Sequence, residues 1–147
     1  MLKAVPFEPF HCSIIHLREH ENKIALAHPE VYTTLLTAAC QAKRVMTLVQ
    51  DNTIMGFMGY HEFWEGSYEV WIIPAKEASK NKMAFLRSIK FFLNEFLRWA
   101  KPKRVQITAL ADETHDKWCA WLGFEKEGTM RNFAPTGETY NLWARVY

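Results

Sequence analysis

Thr47-Leu-Val-Gln-Asp-Asn-Thr-Ile-Met-Gly-Phe57 is the stretch from which the fold of this chain is read. Asp51-Asn52 is a pair that tolerates the positive φ of a tight hairpin turn. The runs on either side, residues 44–50 and 53–64, are rich in β-branched, aromatic and methionine residues, which suit a pleated strand. The turn signal Glu65-Gly66-Ser67 follows, then Tyr68-Glu-Val-Trp-Ile-Ile73, a third strand. Pro74 closes it, having no amide hydrogen to give to a ladder. Three antiparallel strands in succession are expected.

Working outward, residues 10–17 (Phe-His-Cys-Ser-Ile-Ile-His-Leu) read as a strand, residues 18–22 as a polar connection, and residues 24–41 as a helical region broken at Pro29. Downstream, Phe85, Leu86, Ile89, Phe92, Leu93, Phe96, Leu97 and Ala100 recur at i, i+3, i+4, i+7 spacing, so residues 81–100 predict one amphipathic helix. Residues 104–110 alternate as a strand, and residues 113–122 form a short helix closed by Gly123. Two last strands, residues 124–131 and 138–146, flank the turn Ala134-Pro-Thr-Gly137. The class is α/β in the α+β sense: a mixed, mostly antiparallel central sheet of about seven strands flanked by helices.

The 147 residues carry neither a repeat nor a Gly/Ser linker, so residues 1–147 read as a single domain. A net charge of +2 points to neither nucleic acid nor membrane. Cys12, Cys40 and Cys119 are odd in number and lack a C-x-x-C pair, which fits free thiols in a reducing compartment. The start of the chain has no apolar segment with a cleavage site, and residues 83–100 are interrupted by Arg87, Lys90, Asn94, Glu95 and Arg98, so no membrane span is expected. These features read as a cytoplasmic protein.

Trp121-Leu-Gly-Phe-Glu-Lys-Glu-Gly128 adds a second marker, a short helix left through Leu-Gly-Phe into the penultimate strand. Together with residues 47–57 and the order of elements, it resembles the GNAT superfamily of N-acetyltransferases over essentially the whole chain. The resemblance implies transfer of an acetyl or acyl group from coenzyme A to an amine, with acetyl-coenzyme A lying where the fourth and fifth strands splay. In that family a loop of signature Arg/Gln-x-x-Gly-x-Gly/Ala cradles the pyrophosphate with backbone amides, because glycine allows close approach and a helix N-terminus offers unpaired donors. The matching stretch here, Pro74-Ala-Lys-Glu-Ala-Ser-Lys-Asn-Lys-Met-Ala84, holds no glycine. The cofactor-binding positions it implies are Ile72, Ile73, Lys76, Lys80, Asn81, Lys82 and Met83. The lysines have two readings: point charges that replace amide contacts to phosphate, or a solvated helix start.

The same resemblance places Glu69 as the base, with a backbone N–H near Ile73 polarising the thioester carbonyl. The family's acid, a tyrosine five residues before the phenylalanine of Leu-Gly-Phe, falls on Cys119 here. His115 and Asp116 are possible surrogates for it, and Tyr140 on the last strand is a further candidate. Loss of both glycines and tyrosine makes the chain similar to divergent phage members, the acetyltransferase-like internal virion proteins of podoviruses. Under that reading it is virion-associated, an inactive fold with a structural or protein-binding role; under the enzyme reading its partners are a coenzyme A thioester and an amine.

His16-Leu-Arg-Glu-His20 spells H-x-x-E-H, a zinc-peptidase spacing when it lies on a helix, but here it is expected to straddle a strand end, so no metal is assigned. Lys76, Lys80, Lys82, Arg87 and Lys90 cluster at the start of the long helix without interleaved aromatics, which reads as a basic surface and not a nucleic-acid site. Phe63, Tyr68 and Trp71 are expected in the core and Trp64 on the surface.

Overall fold

Asp51 and Asn52 adopt φ of 50° and 61°, so the hairpin turn forms as its sequence requires. It joins strands Val45–Gln50 and Thr53–Trp64 in a computed structural model that describes residues 2–147. In chain order the elements are β1 (Lys3–Pro6), α1 (His11–Ile14), α2 (Glu19–Ala27), α3 (Val31–Gln41), β2 (Val45–Gln50), β3 (Thr53–Trp64) and β4 (Ser67–Pro74). A 3-10 turn (Lys76–Asn81) leads into α4 (Lys82–Ala100), followed by β5 (Arg104–Leu110), α5 (Glu113–Trp121), β6 (Glu125–Met130) and β7 (Tyr140–Val146). The strands form one seven-stranded sheet in the order β1-β2-β3-β4-β5-β7-β6. Pairs β1/β2, β2/β3, β5/β7 and β6/β7 are antiparallel and β4/β5 is parallel.

The expected strand at residues 10–17 is a correction: His11–Ile14 is one helical turn, and the first strand lies earlier, at Lys3–Pro6. Pro9 opens the turn, Cys12 N–H donates to its carbonyl, and the Ser13 hydroxyl bonds back to the Phe10 carbonyl. The expected polar connection at residues 18–22 also differs, since α2 begins at Glu19. Arg18 Nε donates to Glu21 at 2.8 Å, and this pairing lets Glu21 lie 5% exposed within the first turn of α2. The break at Pro29, the limits of β5 and the closing glycine, Gly123 at φ 92°, match the sequence reading.

The chain divides into two compact units, each of two segments. The first comprises Met1–His61 and Trp71–Ser88. Its core joins Phe7, Leu36, Val45, Ile54, Phe57 and Ile73, with Phe7 edge-on to Phe57 at 5.4 Å. Trp71 packs against this cluster, as expected of a core aromatic. Gly56 serves the close approach of β4: a Cβ there would stand 2.7 Å from the Ile73 carbonyl oxygen.

The second unit comprises Glu62–Val70 and Ile89–Tyr147. Register sorts its side chains onto two faces. Tyr68, Val105, Ile107, Asn141 and Trp143 share one face, on which α4 contributes Phe96 against Tyr68 at 5.3 Å. On the same face α5 contributes Asp116, which accepts from Asn141 Nδ2 at 3.0 Å. Glu69, Arg104, Gln106, Thr108 and Tyr140 share the opposite face. Trp64 is 71% exposed and Phe63 40% exposed, so Trp64 is on the surface as expected and Phe63 is not in the core. No helix among the described residues is long and apolar enough to cross a membrane.

Candidate functional site

Glu69 lies at the last registered pair of β4 with β5. The parallel register runs Ser67 with Arg104, Tyr68 with Val105 and Glu69 with Gln106, whereas β4 itself continues to Pro74 and β5 to Leu110. The Glu69 carboxylate is half-buried and accepts a hydrogen bond from Gln106 Nε2 at 3.0 Å. Gln106 Oε1 in turn accepts from Arg104, at 3.2 Å from Nε and 3.1 Å from a terminal nitrogen. Arg104 forms a two-pronged pair with Glu127 at 2.9 and 2.6 Å. That pairing pushes the Arg104 guanidinium up and holds the Glu127 carboxyl below the usual carboxylate range.

Beyond Glu69 the strand enters the first unit. Ile72 is half-buried, and Ile73, Pro74 and Ala75 are buried. The strand end is pinned by its own backbone: Ala75 N–H donates to Met55 O at 2.8 Å and Lys76 N–H to His16 O at 2.7 Å. Ala78 N–H is taken by Ala75 O, and Ala84 N–H by the Asn81 side chain at 3.2 Å, so Asn81 caps α4. Lys76, Lys80, Lys82 and Met83 are exposed around this turn. Glu77 sits among the lysines with its carboxylate 2.5 Å from His16 Nδ1, and this hydrogen bond lowers its pKa. His16 is thus engaged with Glu77, and among the described residues no group of three His, Cys, Asp or Glu could hold a metal.

The remaining sequence candidates are spread over the second unit. Cys119 is 4% exposed, and burial, with the nearby Asp116 charge, pushes its thiol up to about 12. It belongs to α5, which packs on the sheet face opposite Glu69. Tyr140 is half-buried on the Glu69 face, its ring 5.4 Å from that of Phe133. Its partner in the register is Leu110, four residues and about 13 Å along β5 from Gln106. His115 and Asp112 pair with each other at 2.7 Å, the Asp112 carboxylate also capping α5. An open groove of about 610 Å³ beside α5, lined by Asp112, Asp116, Lys126 and Asn141 among others, includes none of the proposed catalytic side chains except the surrogate Asp116.

Sequence reasoning missed Gln106, Arg104 and Glu127. Arg104 and Gln106 stand two apart on a strand, which was sufficient to place them on one face, but nothing in the sequence names Glu69 and Glu127 as the groups that meet them.

Compared with known proteins, the chain aligns over 99% of its length with a GNAT-family acetyltransferase from Bacillus anthracis, at TM-score 0.73 and 16% identity, covering 94% of that chain. The chain has the GNAT fold. The microcin C7 self-immunity acetyltransferase MccE, in complex with acetyl-CoA and AMP, matches at TM-score 0.72 and 12% identity, with 99% of this chain and 92% of that one covered. The ribosomal L7/L12 alpha-N-protein acetyltransferase RimL, in complex with coenzyme A, matches at 0.68 and 11%, with 99% and 93% covered. No family model matches the sequence, and no curated protein matches it. At these identities the likeness is one of GNAT fold.

Proposed function

We propose that this protein is an N-acyltransferase that moves an acyl group from a coenzyme A thioester to an amine. The observation that carries the reading is Glu69: a half-buried carboxylate, oriented by Gln106, at the point where β4 and β5 cease to pair. The GNAT fold of acetyltransferases that hold acetyl-CoA or coenzyme A supports the same assignment.

The residues fit a diphosphate by charge, on a turn with no glycine to bring the backbone close. The donors of Ala75, Lys76, Ala78 and Ala84 are already taken, while Lys76, Lys80 and Lys82 present three exposed ammonium groups on one turn and the start of α4. Those lysines would hold the phosphates, with Ile72, Ile73, Asn81 and Met83 beside them. When bound, the thioester supplies the activated acyl group. Glu69 takes the proton of the incoming amine, directly or across one water. Tyr140 shares its face and carries a phenol hydroxyl, whereas Cys119 is buried on the far side of the sheet, so Tyr140 is the acid in this reading.

The test is thiol release from acetyl-coenzyme A against a panel of amino-acid amides, polyamines and peptide N-termini. The reading expects an amine-dependent rate that falls at least a hundredfold in Glu69→Gln with the fold intact. Release no faster than the uncatalysed background with every amine overturns it.

A further inference from the structure

The four side chains Glu127, Arg104, Gln106 and Glu69 form one hydrogen-bonded line across the open face of the second unit. Its logic follows from donor inventory. A guanidinium has donors only, so the oxygen of the Gln106 amide must face Arg104 and its NH2 must face Glu69. A free glutamine could turn its oxygen toward the carboxylate and repel it. Arg104 is itself held by both oxygens of Glu127, a planar fork that fixes the guanidinium in position and in plane. Because Gln106 and Glu69 are direct register partners, the Gln106 bond engages Oε1 of Glu69 at 3.0 Å.

We infer that Gln106, with its amide orientation set by the Arg104–Glu127 pair, is the positioning residue of the base Glu69. It engages one carboxylate oxygen and leaves the other to meet an amine or a water. The inference rests on the acyltransferase reading for its kinetic consequence, but the geometry can be tested without activity.

Two readouts are combined. In the 15N-labelled protein, the Gln106 side-chain NH2 resonances are followed in wild type, Glu69→Ala and Arg104→Met. The inference expects one Gln106 amide proton shifted downfield in wild type, returning by at least about 0.3 ppm toward the free-glutamine position in either variant. In the thiol-release assay with acetyl-coenzyme A and the fastest amine of the panel, Gln106→Met, of similar length and without a donor, is expected to lower kcat about tenfold at unchanged KM. Glu69→Ala/Gln106→Met is expected to be no slower than Glu69→Ala alone.

Gln106 resonances indifferent to both variants overturn the inference outright. So does a tenfold loss that persists in the Glu69→Ala background, since Gln106 then acts independently of the base. Full activity in Glu69→Ala, with the Gln106 resonances still moved, overturns both the base and its positioning. Absence of turnover with every amine does the same. In these last two cases the intact resonance pattern traces the failure to the functional reading and not to the bond.

Discussion

Cys119 and Glu77 are single residues whose surroundings give them opposite pH signatures. The Cys119 thiol is pushed up to about 12 in the folded protein against an ordinary 9.0. Below pH 9 both states hold the proton and the shift contributes nothing. Above pH 9 the unfolded chain ionises first, so stability falls with rising pH by about 1.4 kcal/mol per unit toward pH 12. Denaturant titrations of wild type and Cys119→Ala should therefore lie a constant distance apart up to pH 9 and converge above it by up to about 1.4 kcal/mol per unit. A constant gap at pH 10.5 would contradict the buried thiol. Glu77 runs the other way. His16 lowers its pKa, so its contribution is present above the ordinary value of 4.5 and is lost as pH falls through the folded pKa. The stability difference between wild type and Glu77→Gln should shrink as pH falls below the ordinary value of 4.5 and disappear in the acid limb. Because Glu77 also stands among Lys76, Lys80 and Lys82, the same variant should tighten coenzyme A binding severalfold by removing a like charge from the site of an anion.

At the scale of elements, the last residues of β4 and the start of α4 rest on small, replaceable features. Asn81 caps α4 through the Ala84 amide, and Asn81→Ala should cost about 1 kcal/mol in a urea titration. Gly56 leaves room for the Ile73 carbonyl at a place where a Cβ would come within 2.7 Å of backbone, so Gly56→Ala should lower stability by about 2 kcal/mol. It should also displace the Ile73 amide resonance. A neutral Gly56→Ala would show that β3 and β4 do not approach as described. These elements were legible in sequence to different degrees. The Asp51-Asn52 turn, the apolar stripe of α4 and the alternation of β5 are local patterns, and their limits fall within a residue of the reading. Residues 10–17 defeat it because Ile14, Ile15 and Leu17 suit a strand, whereas the outcome is set by Pro9 and Ser13, whose side chains and backbone close a single turn. The true first strand is four residues long and owes its existence to β2, with Ala4 opposite Leu48, a distant pairing that no local pattern announces.

For the whole molecule, strand order and class follow from the succession of elements, while the chemistry depends on contacts between residues far apart in sequence. Glu69 could be named from its place on β4, but Gln106 lies 37 residues away and Glu127 a further 21, as the pairs in the network show. The cofactor turn was legible as a loss, eleven residues without glycine, and the structure adds that four of its amides are spent, on Met55, His16, Ala75 and Asn81. In the proposed reading the charge of three lysines attracts the diphosphate. Isothermal titration with acetyl-coenzyme A therefore tests the central claim most directly, with the Lys76→Ala/Lys80→Ala/Lys82→Ala variant beside the wild type. The account predicts micromolar binding to wild type, about −8 kcal/mol, weakened at least tenfold in the variant. No heat of binding to wild type, or equal affinity in the folded variant, would contradict it.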